Sequence, residues 1–149
     1  MSVGEHWRPF LGEHPRSLDA KGRVILPARF REKLEGGGVM VSAIDGCLSV
    51  YTMDAFETFA AKVAATREQG PEQRDAARAI FAGSTDFVPD RQGRIAIPPK
   101  AKAHAGLERD GGVVGNFDHF QIWDARRYAE HDSRGSAVVI SGVGIENLT

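Results

Sequence analysis

The chain has 149 residues, of which 42% are hydrophobic and 26% charged, and its formal net charge at pH 7 is −1. This length suits one ordinary core, or two small halves that share one. Apolar runs such as 24–26 and 138–140 are far shorter than the roughly 20 residues of a membrane helix, and residues 1–9 lack the apolar stretch of a secretory signal. The sequence therefore excludes a membrane span and predicts a cytoplasmic protein.

Charge is spread unevenly along the chain. Residues 8–33 contain seven cations and three acids, and residues 86–109 contain five cations and three acids. Many of the compensating acids lie between 54 and 75. A chain that is almost neutral overall can therefore carry a basic face, which is the usual electrostatic footprint of nucleic-acid binding.

The first predicted elements follow a short polar turn. Asp19-Ala-Lys-Gly22 has the composition of a type I β-turn, with aspartate first and glycine fourth. The run 24–26 is a short strand, and Pro27 suits the first turn of a helix that should end near Gly36. Strands are then expected at 39–41 and 47–51.

The middle of the chain is predicted to be helical. Asp54 and Glu57 resemble a capping box at a helix start. The apolar side chains that follow at helical spacing form a core-facing stripe, made of Phe56, Phe59, Ala60, Val63 and Ala64. A further helix should begin at Pro71 and carry Ala76, Ala77, Ile80 and Phe81.

The second half repeats the first. Residues 19–30 align without gaps on residues 90–101, with Asp, Gly, Arg and Pro at equal spacing. The pattern again predicts a turn, a strand at 95–97, and a helix from Pro98 to Gly106. Strands at 113–114 and 120–123 and a helix that is capped by Asp124 and runs through Tyr128 complete it. We therefore expect an N-terminal extension (1–9), a first module (10–69), a linking helix (70–83), a second module (84–132) and a C-terminal tail (133–149).

The duplicated turns are the candidate functional site. Arg23 and Arg94 follow the turn glycines, where a guanidinium can contact guanine or clamp a phosphate. Asp19 and Asp90, with Gly22 and Gly93, are interpreted as the scaffold of the two turns. The remaining cations near the turns are assigned to phosphates, namely Lys21, Arg29, Arg31, Arg91, Lys100 and Lys102. The alternative is that each Asp–Arg pair merely holds its turn.

No cofactor, metal or catalytic set is predicted. The five histidines lack ligand spacing, and no nucleophile, base and orienting residue form a recognisable group. Cys47, the single cysteine, lies in a strand-like run and is interpreted as a packing residue. An enzyme that acts on a small molecule is therefore the weakest interpretation.

The duplicated strings resemble the two signatures of the MraZ family. Residues 10–13 and 18–31 are similar to the first, and residues 90–98, followed by the aromatic-ended strand 120–123, are similar to the second. The resemblance covers roughly residues 10 to 130. The tail from 133 onward, rich in Gly, Ser and Val, departs from the helical, charged tail that the family leads us to expect.

The resemblance implies an α+β fold of two pseudo-symmetric AbrB/SpoVT-like β-α-β halves that form a β-barrel flanked by helices. It also implies a transcriptional regulator, a repressor by expectation, that assembles into a ring and binds direct repeats in double-stranded DNA. The implied target is the division and cell-wall operon that includes its own gene. An antitoxin or protein-binding module with the same fold stays open as an alternative.

Overall fold

The computed structural model describes residues 9–42 and 44–144. The predicted extension 1–9, apart from Pro9, and residues 145–149 of the predicted tail lie outside the described residues. The described part is α+β. Its eight strands are β1 (Glu13–Ser17), β2 (Arg23–Ile25), β3 (Gly38–Ser42), β4 (Leu48–Thr52), β5 (Ser84–Phe87), β6 (Arg94–Ala96), β7 (Asp110–Gly115) and β8 (Phe120–Asp124). Its five α-helices are α1 (Ala28–Lys33), α2 (Met53–Ala65), α3 (Pro71–Ala82), α4 (Pro99–Ala105) and α5 (Ala125–Ser141).

Six strands form one antiparallel sheet in the order β1-β7-β8-β4-β3-β5. If each of β1–β4 is exchanged with its counterpart in β5–β8 (β1 with β5, β2 with β6, and so on), the same order results, read from the opposite edge of the sheet. Strand β1 pairs with β7, and β5 pairs with β3, so the sheet runs continuously from one edge to the other across both predicted modules. The sheet therefore cannot be divided into two independent halves.

The remaining two strands form a separate antiparallel ribbon. Strand β2 pairs with β6, and Val24 faces Ile95 at its centre. Both of these side chains are buried. Because side chains alternate along a strand, the residues on either side of them lie on the outer face of the ribbon. That outer face carries Arg23, Ile25, Arg94 and Ala96.

The core lies between the ribbon, the sheet and the short helices α1 and α4. Phe10, Phe30 and Phe120 meet there with ring centroids 5.0–5.2 Å apart. A second cluster on the sheet consists of Val39, Val41 and Tyr51, covered by α2 and α3. In that cluster the rings of Tyr51 and Phe59 stack at 4.9 Å. The predicted core stripe of α2 therefore packs on the sheet, although none of its side chains is fully buried.

Both predicted proline starts and one predicted glycine stop are confirmed. Helices α1 and α4 begin directly after Pro27 and Pro98. Gly106 ends α4 in the left-handed conformation, with a φ of 63°. The first helix, however, ends at Lys33 rather than near Gly36. The backbone N–H of Gly37 bonds to the carbonyl of Leu34, so the chain turns into β3 before the glycine run is complete.

The predicted capping box at Asp54 and Glu57 is wrong. The N-cap of α2 is Thr52, whose side-chain oxygen accepts the backbone N–H of Ala55 at 3.2 Å. Asp54 lies inside the first helical turn instead. The helix can begin this early because the last residue of β4 already has the extended backbone that an N-cap requires.

The last helix is longer than expected. Asp124 caps it as predicted, with its carboxylate accepting the backbone N–H of Arg127 at 3.1 Å. The helix then continues past Tyr128 to Ser141, and so includes the first residues of the Gly-, Ser- and Val-rich tail. Its side chains 138–140 are exposed and apolar. No helix of the described residues is long and apolar enough to span a membrane.

The expected closed barrel is not observed among the described residues. Strands β1 and β5 are the two ends of the six-stranded sheet, and each pairs with a single neighbour. The observed architecture is a six-stranded antiparallel sheet with a separate two-stranded ribbon and helices. The module boundaries remain a prediction, and the one placed at residue 132 falls within α5.

Candidate nucleic-acid interface

The first turn is organised by the carboxylate of Asp19. Its Oδ1 atom accepts the backbone N–H groups of Lys21 and Arg23, each at 2.9 Å. The N–H of Gly22 donates to the carbonyl of Asp19 at 2.9 Å, and the N–H of Asp19 donates to the carbonyl of Arg23 at 2.9 Å. Gly22 has a φ of 73°, which favours glycine. The turn is thus closed by four hydrogen bonds within five residues.

The same carboxylate also holds the arginine side chain. Arg23 Nε donates to Asp19 Oδ2 at 2.7 Å, and the two side chains are 27% and 35% exposed. The pKa of Asp19 is lowered, first by the hydrogen bond from the Arg23 backbone and further by the Arg23 side chain and the Lys21 backbone. This ion pair engages Nε of the guanidinium and leaves its Nη groups for other contacts.

The second turn repeats this geometry. Asp90 Oδ1 accepts the backbone N–H groups of Gln92 and Arg94, each at 2.9 Å. Arg94 Nε donates to Asp90 Oδ2 at 2.7 Å. Gly93 has a φ of 78°, and the hydrogen bond from the Arg94 backbone is the largest cause of a lowered pKa of Asp90. Both halves of the chain therefore form the same arginine-holding turn.

The two turns are joined through the β2–β6 ribbon. Leu26 donates its backbone N–H to the carbonyl of Gly93 at 2.9 Å, and Ile97 donates to the carbonyl of Gly22 at 3.0 Å. In the ribbon, Arg23 faces Ala96 and Arg94 faces Ile25. The structure thus brings the two arginines together on one exposed surface, the outer face of the ribbon.

The other predicted cations lie close to the turns along the chain. Lys21 and Arg91 are exposed within the turns themselves, and Arg29 and Lys100 are exposed on α1 and α4. Arg31 and Lys102, at equivalent positions of the same two helices, are half-buried. Arg31 also lines a cavity of about 240 Å³ together with Glu35, Pro89, Asp90 and Arg91. The two halves therefore differ around the turns, although the turns themselves match.

Two further residues belong to this surface, and the sequence analysis did not single them out. Ile25 lies on the outer face of the ribbon and is 52% exposed. Arg16, on β1, donates from Nε to the carbonyl of Ile25 at 3.0 Å and so braces the edge of the ribbon. The alternation of Val24, Ile25 and Leu26 along the strand could have indicated that Ile25 lies on the outer face. No local pattern indicates the role of Arg16, because that role depends on how β1 lies beside β2.

The model of one protein family, described as "MraZ protein, putative antitoxin-like", matches the chain twice, over residues 10–79 and 80–137. The chain belongs to the MraZ family. Its relatives include the transcriptional regulator MraZ of Thermomicrobium roseum, 43% identical over 120 residues that make up 80% of this chain and 84% of that protein. The protein of the same name from Thermobifida fusca is 39% identical over 129 residues, or 87% of this chain and 90% of the relative.

The two matches to the MraZ family cover the turns separately. The first contains Asp19–Arg23 and the second contains Asp90–Arg94, and the boundary between them falls within α3. Each MraZ repeat therefore contributes one arginine-holding turn and one strand of the ribbon. A further relative, the transcriptional regulator MraZ of a Parafrankia species, is 43% identical over 119 residues, which make up 80% of this chain and 83% of that protein.

Other reactive groups lie away from this surface. Cys47 is buried, and its thiol donates to the carbonyl of Ile44 at 3.6 Å. Burial, with a smaller effect of Asp45, raises the pKa of Cys47 to about 12, so the thiol is a packing group and a poor nucleophile. Within 9–42 and 44–144, no three His, Cys, Asp or Glu side chains lie close enough together to hold a metal ion.

Proposed function

We propose that this protein is a transcriptional regulator that binds double-stranded DNA through the outer face of the β2–β6 ribbon. The observation that carries the proposal is the pair of identically bonded turns, which place Arg23 and Arg94 on adjacent strands. The name of the relatives, transcriptional regulator, supports the same class of function.

The shape of the ribbon suits a DNA groove. The major groove of B-DNA admits a two-stranded β-ribbon, and arginine is the side chain that most often reads guanine there. Because Asp19 and Asp90 hold Nε of each arginine, less side-chain freedom is lost when the Nη groups bind. The exposed side chain of Ile25 on the same face offers an apolar contact to a thymine methyl group.

The surrounding cations would bind phosphates. Lys21 and Arg91 in the turns, with Arg29 and Lys100 on the following helices, are exposed and lie next to the ribbon strands in the chain. Phosphate contacts supply affinity and register but little sequence information. They also make binding depend on salt, because each contact releases counterions from the DNA.

We further propose that the protein acts as a homo-oligomer on direct repeats. Two turns provide a small footprint, and a net charge of −1 gives little general attraction to DNA. Several subunits would raise affinity through effective concentration. The family resemblance favours a ring-shaped assembly. It also favours a promoter of the division and cell-wall operon as the DNA target and repression of that operon as the effect. The proposed location is the cytoplasm, on the nucleoid.

The test compares the wild type with an Arg23→Ala, Arg94→Ala double variant on the DNA upstream of its own gene. An Arg67→Ala, Arg78→Ala variant makes the same charge change at exposed sites on other elements. Removing each base contact should weaken binding by roughly 1–3 kcal/mol, while circular dichroism should show both variants folded. Wild-type affinity in the ribbon variant would contradict the proposal, and copurification with an adjacent toxin would favour an antitoxin instead.

A further inference from the structure

We infer that Arg31 is a positioning residue for the second turn, so that the two turns are unequal in rigidity although they are bonded alike. The inference rests on the proposed function for its significance to DNA binding. Its structural part concerns the free protein and can be tested without DNA.

The evidence is a close approach between Arg31 and Gly93. A Cβ atom built on Gly93 would lie 2.5 Å from both Cδ and Nη1 of Arg31 and 3.1 Å from its Nε. The flat end of this side chain therefore lies against the Cα face of the turn glycine. With Arg31 in this position, only a glycine fits there.

The segment that carries Arg31 also bonds to the same glycine. Leu26 donates to the carbonyl of Gly93, and five residues later the side chain of Arg31 covers that residue. Gly93 is thus held by one segment of the first half through its carbonyl and through its Cα face. A side chain packed here opposes local opening of the backbone around Gly93, and with it the opening of the hydrogen bonds from Gln92 and Arg94 to Asp90.

The first turn has only one of these two contacts. Ile97 donates to the carbonyl of Gly22, but the nearest atom to a Cβ built on Gly22 is the carbonyl oxygen of Ile97 at 3.6 Å. Lys102, the counterpart of Arg31, does not approach it within 4 Å. Both turn glycines are buried, but only Gly93 is packed against an arginine side chain, so we expect Arg94 to be held more firmly than Arg23.

The test is hydrogen–deuterium exchange of the turn amides in the full chain, with Lys102→Ala as the matched control for Arg31→Ala. Arg31→Ala should raise the exchange rates of the Gln92 and Arg94 amides by about tenfold, which is a modest change in local opening, and should leave those of Lys21 and Arg23 unchanged. Lys102→Ala should change neither turn by more than about twofold. Unchanged rates at Gln92 and Arg94 in Arg31→Ala would overturn the inference.

A second pair of variants keeps the idea testable if Arg31→Ala folds poorly. Gly93→Ala and Gly22→Ala impose similar strain, because the two glycines have φ values of 78° and 73°, but only Gly93→Ala must displace Arg31. Gly93→Ala should expose the second turn to exchange, and adding Arg31→Ala should cause little further change. Equal effects of the two glycine variants on their own turns would contradict a role for Arg31.

Salt dependence of DNA binding separates positioning from direct phosphate binding. Each residue that binds a phosphate contributes about one to the slope of log affinity against log salt, so its removal makes that slope shallower. Arg31→Ala should weaken binding with little change in slope. A shallower slope with unchanged amide exchange would assign Arg31 to phosphate and overturn the inference. If no variant or wild-type protein bound DNA, the proposed function would fail while the exchange result would still stand.

Discussion

The backbone N–H of Leu26 donates to the carbonyl oxygen of Gly93 at 2.9 Å, joining the end of a strand in one half to the turn of the other. The matching bond from Ile97 to Gly22 completes a reciprocal pair. Each turn is therefore bonded to the strand that leads into the helix of the other half, so the two turns and the ribbon form one hydrogen-bonded unit.

Replacing both turn carboxylates should alter how stability depends on pH. The pKa values of Asp19 and Asp90 are lowered in the folded protein from an ordinary value of 3.8. Their contribution is therefore present above 3.8 and is lost as pH falls through the lower folded values. An Asp19→Asn, Asp90→Asn variant should be less stable at neutral pH and should lose less stability on acidification. Urea unfolding at a series of pH values measures this, and parallel curves for the two proteins would contradict it.

Arg127 should stabilise the fold by bridging distant segments. Its Nη1 donates to the carbonyl of Gly46 at 3.2 Å and to that of His104 at 3.0 Å, near the C-terminal end of α4. Hydrogen bonds from a charged donor contribute roughly 1.5–3 kcal/mol, so Arg127→Ala should lower the free energy of unfolding by about that amount. Arg126→Ala, at the exposed neighbouring position, is the control. Similar denaturation midpoints for the two variants would disprove the bridge.

The corrected helix cap gives a direct comparison at the start of α2. Thr52→Ala removes the side-chain acceptor of the Ala55 N–H and should destabilise the protein by about 1 kcal/mol. Asp54→Ala removes only an exposed acid in the first turn and should cost less, roughly 0.3–1 kcal/mol through the helix dipole. Thermal or chemical unfolding of both variants decides between the caps. A larger loss of stability for Asp54→Ala than for Thr52→Ala would instead support a capping box at Asp54 and Glu57.

DNA geometry tests the proposed multivalent assembly. Subunits that present the same ribbon at fixed steps should prefer direct repeats about one helical turn apart, roughly 10 base pairs. Affinity should rise steeply with repeat number through effective concentration. Inserting about half a turn, roughly 5 base pairs, should remove most of that gain because the second repeat rotates away. Anisotropy with one, two and three repeats measures both effects, and indifference to number and spacing would exclude the assembly.

Local signals predict much of the secondary structure. Prolines 27 and 98 mark helix starts because a missing N–H is tolerated there, and Gly106 marks a stop because it adopts a positive φ. The residue types alone predict that Asp19 and Asp90 hold their turns together. The backbone N–H groups of Arg23 and Arg94 do donate to these two carboxylates. Whether these arginines contact DNA stays a prediction.

The elements that sequence patterns miss depend on distant partners. Strand β1 contains Pro15 and lacks the alternation of apolar and polar side chains that indicates a strand. It nevertheless pairs with β7 over five residues at the edge of the sheet, where proline is tolerated. Strand β5 escapes prediction for a similar reason, since its residues 84–87 carry no strong strand pattern. The contact of Arg31 with Gly93 likewise joins residues from the two halves of the chain, and the turn repeat itself suggests equivalence instead of asymmetry.

The pairing of β1 with β7 also constrains how the chain folds as it is made. Glu13 lies opposite Val114, so the two partners come from distant parts of the chain. A nascent chain would expose β1 and the ring of Phe10 until β7 and Phe120 had left the ribosome. Successive domains usually fold one after another as they emerge. The first half of this chain cannot complete its sheet in that way, because β1 pairs with a strand of the second half. The complete six-stranded sheet can form only after β8 has emerged, although β3, β4 and β5 can pair with one another earlier.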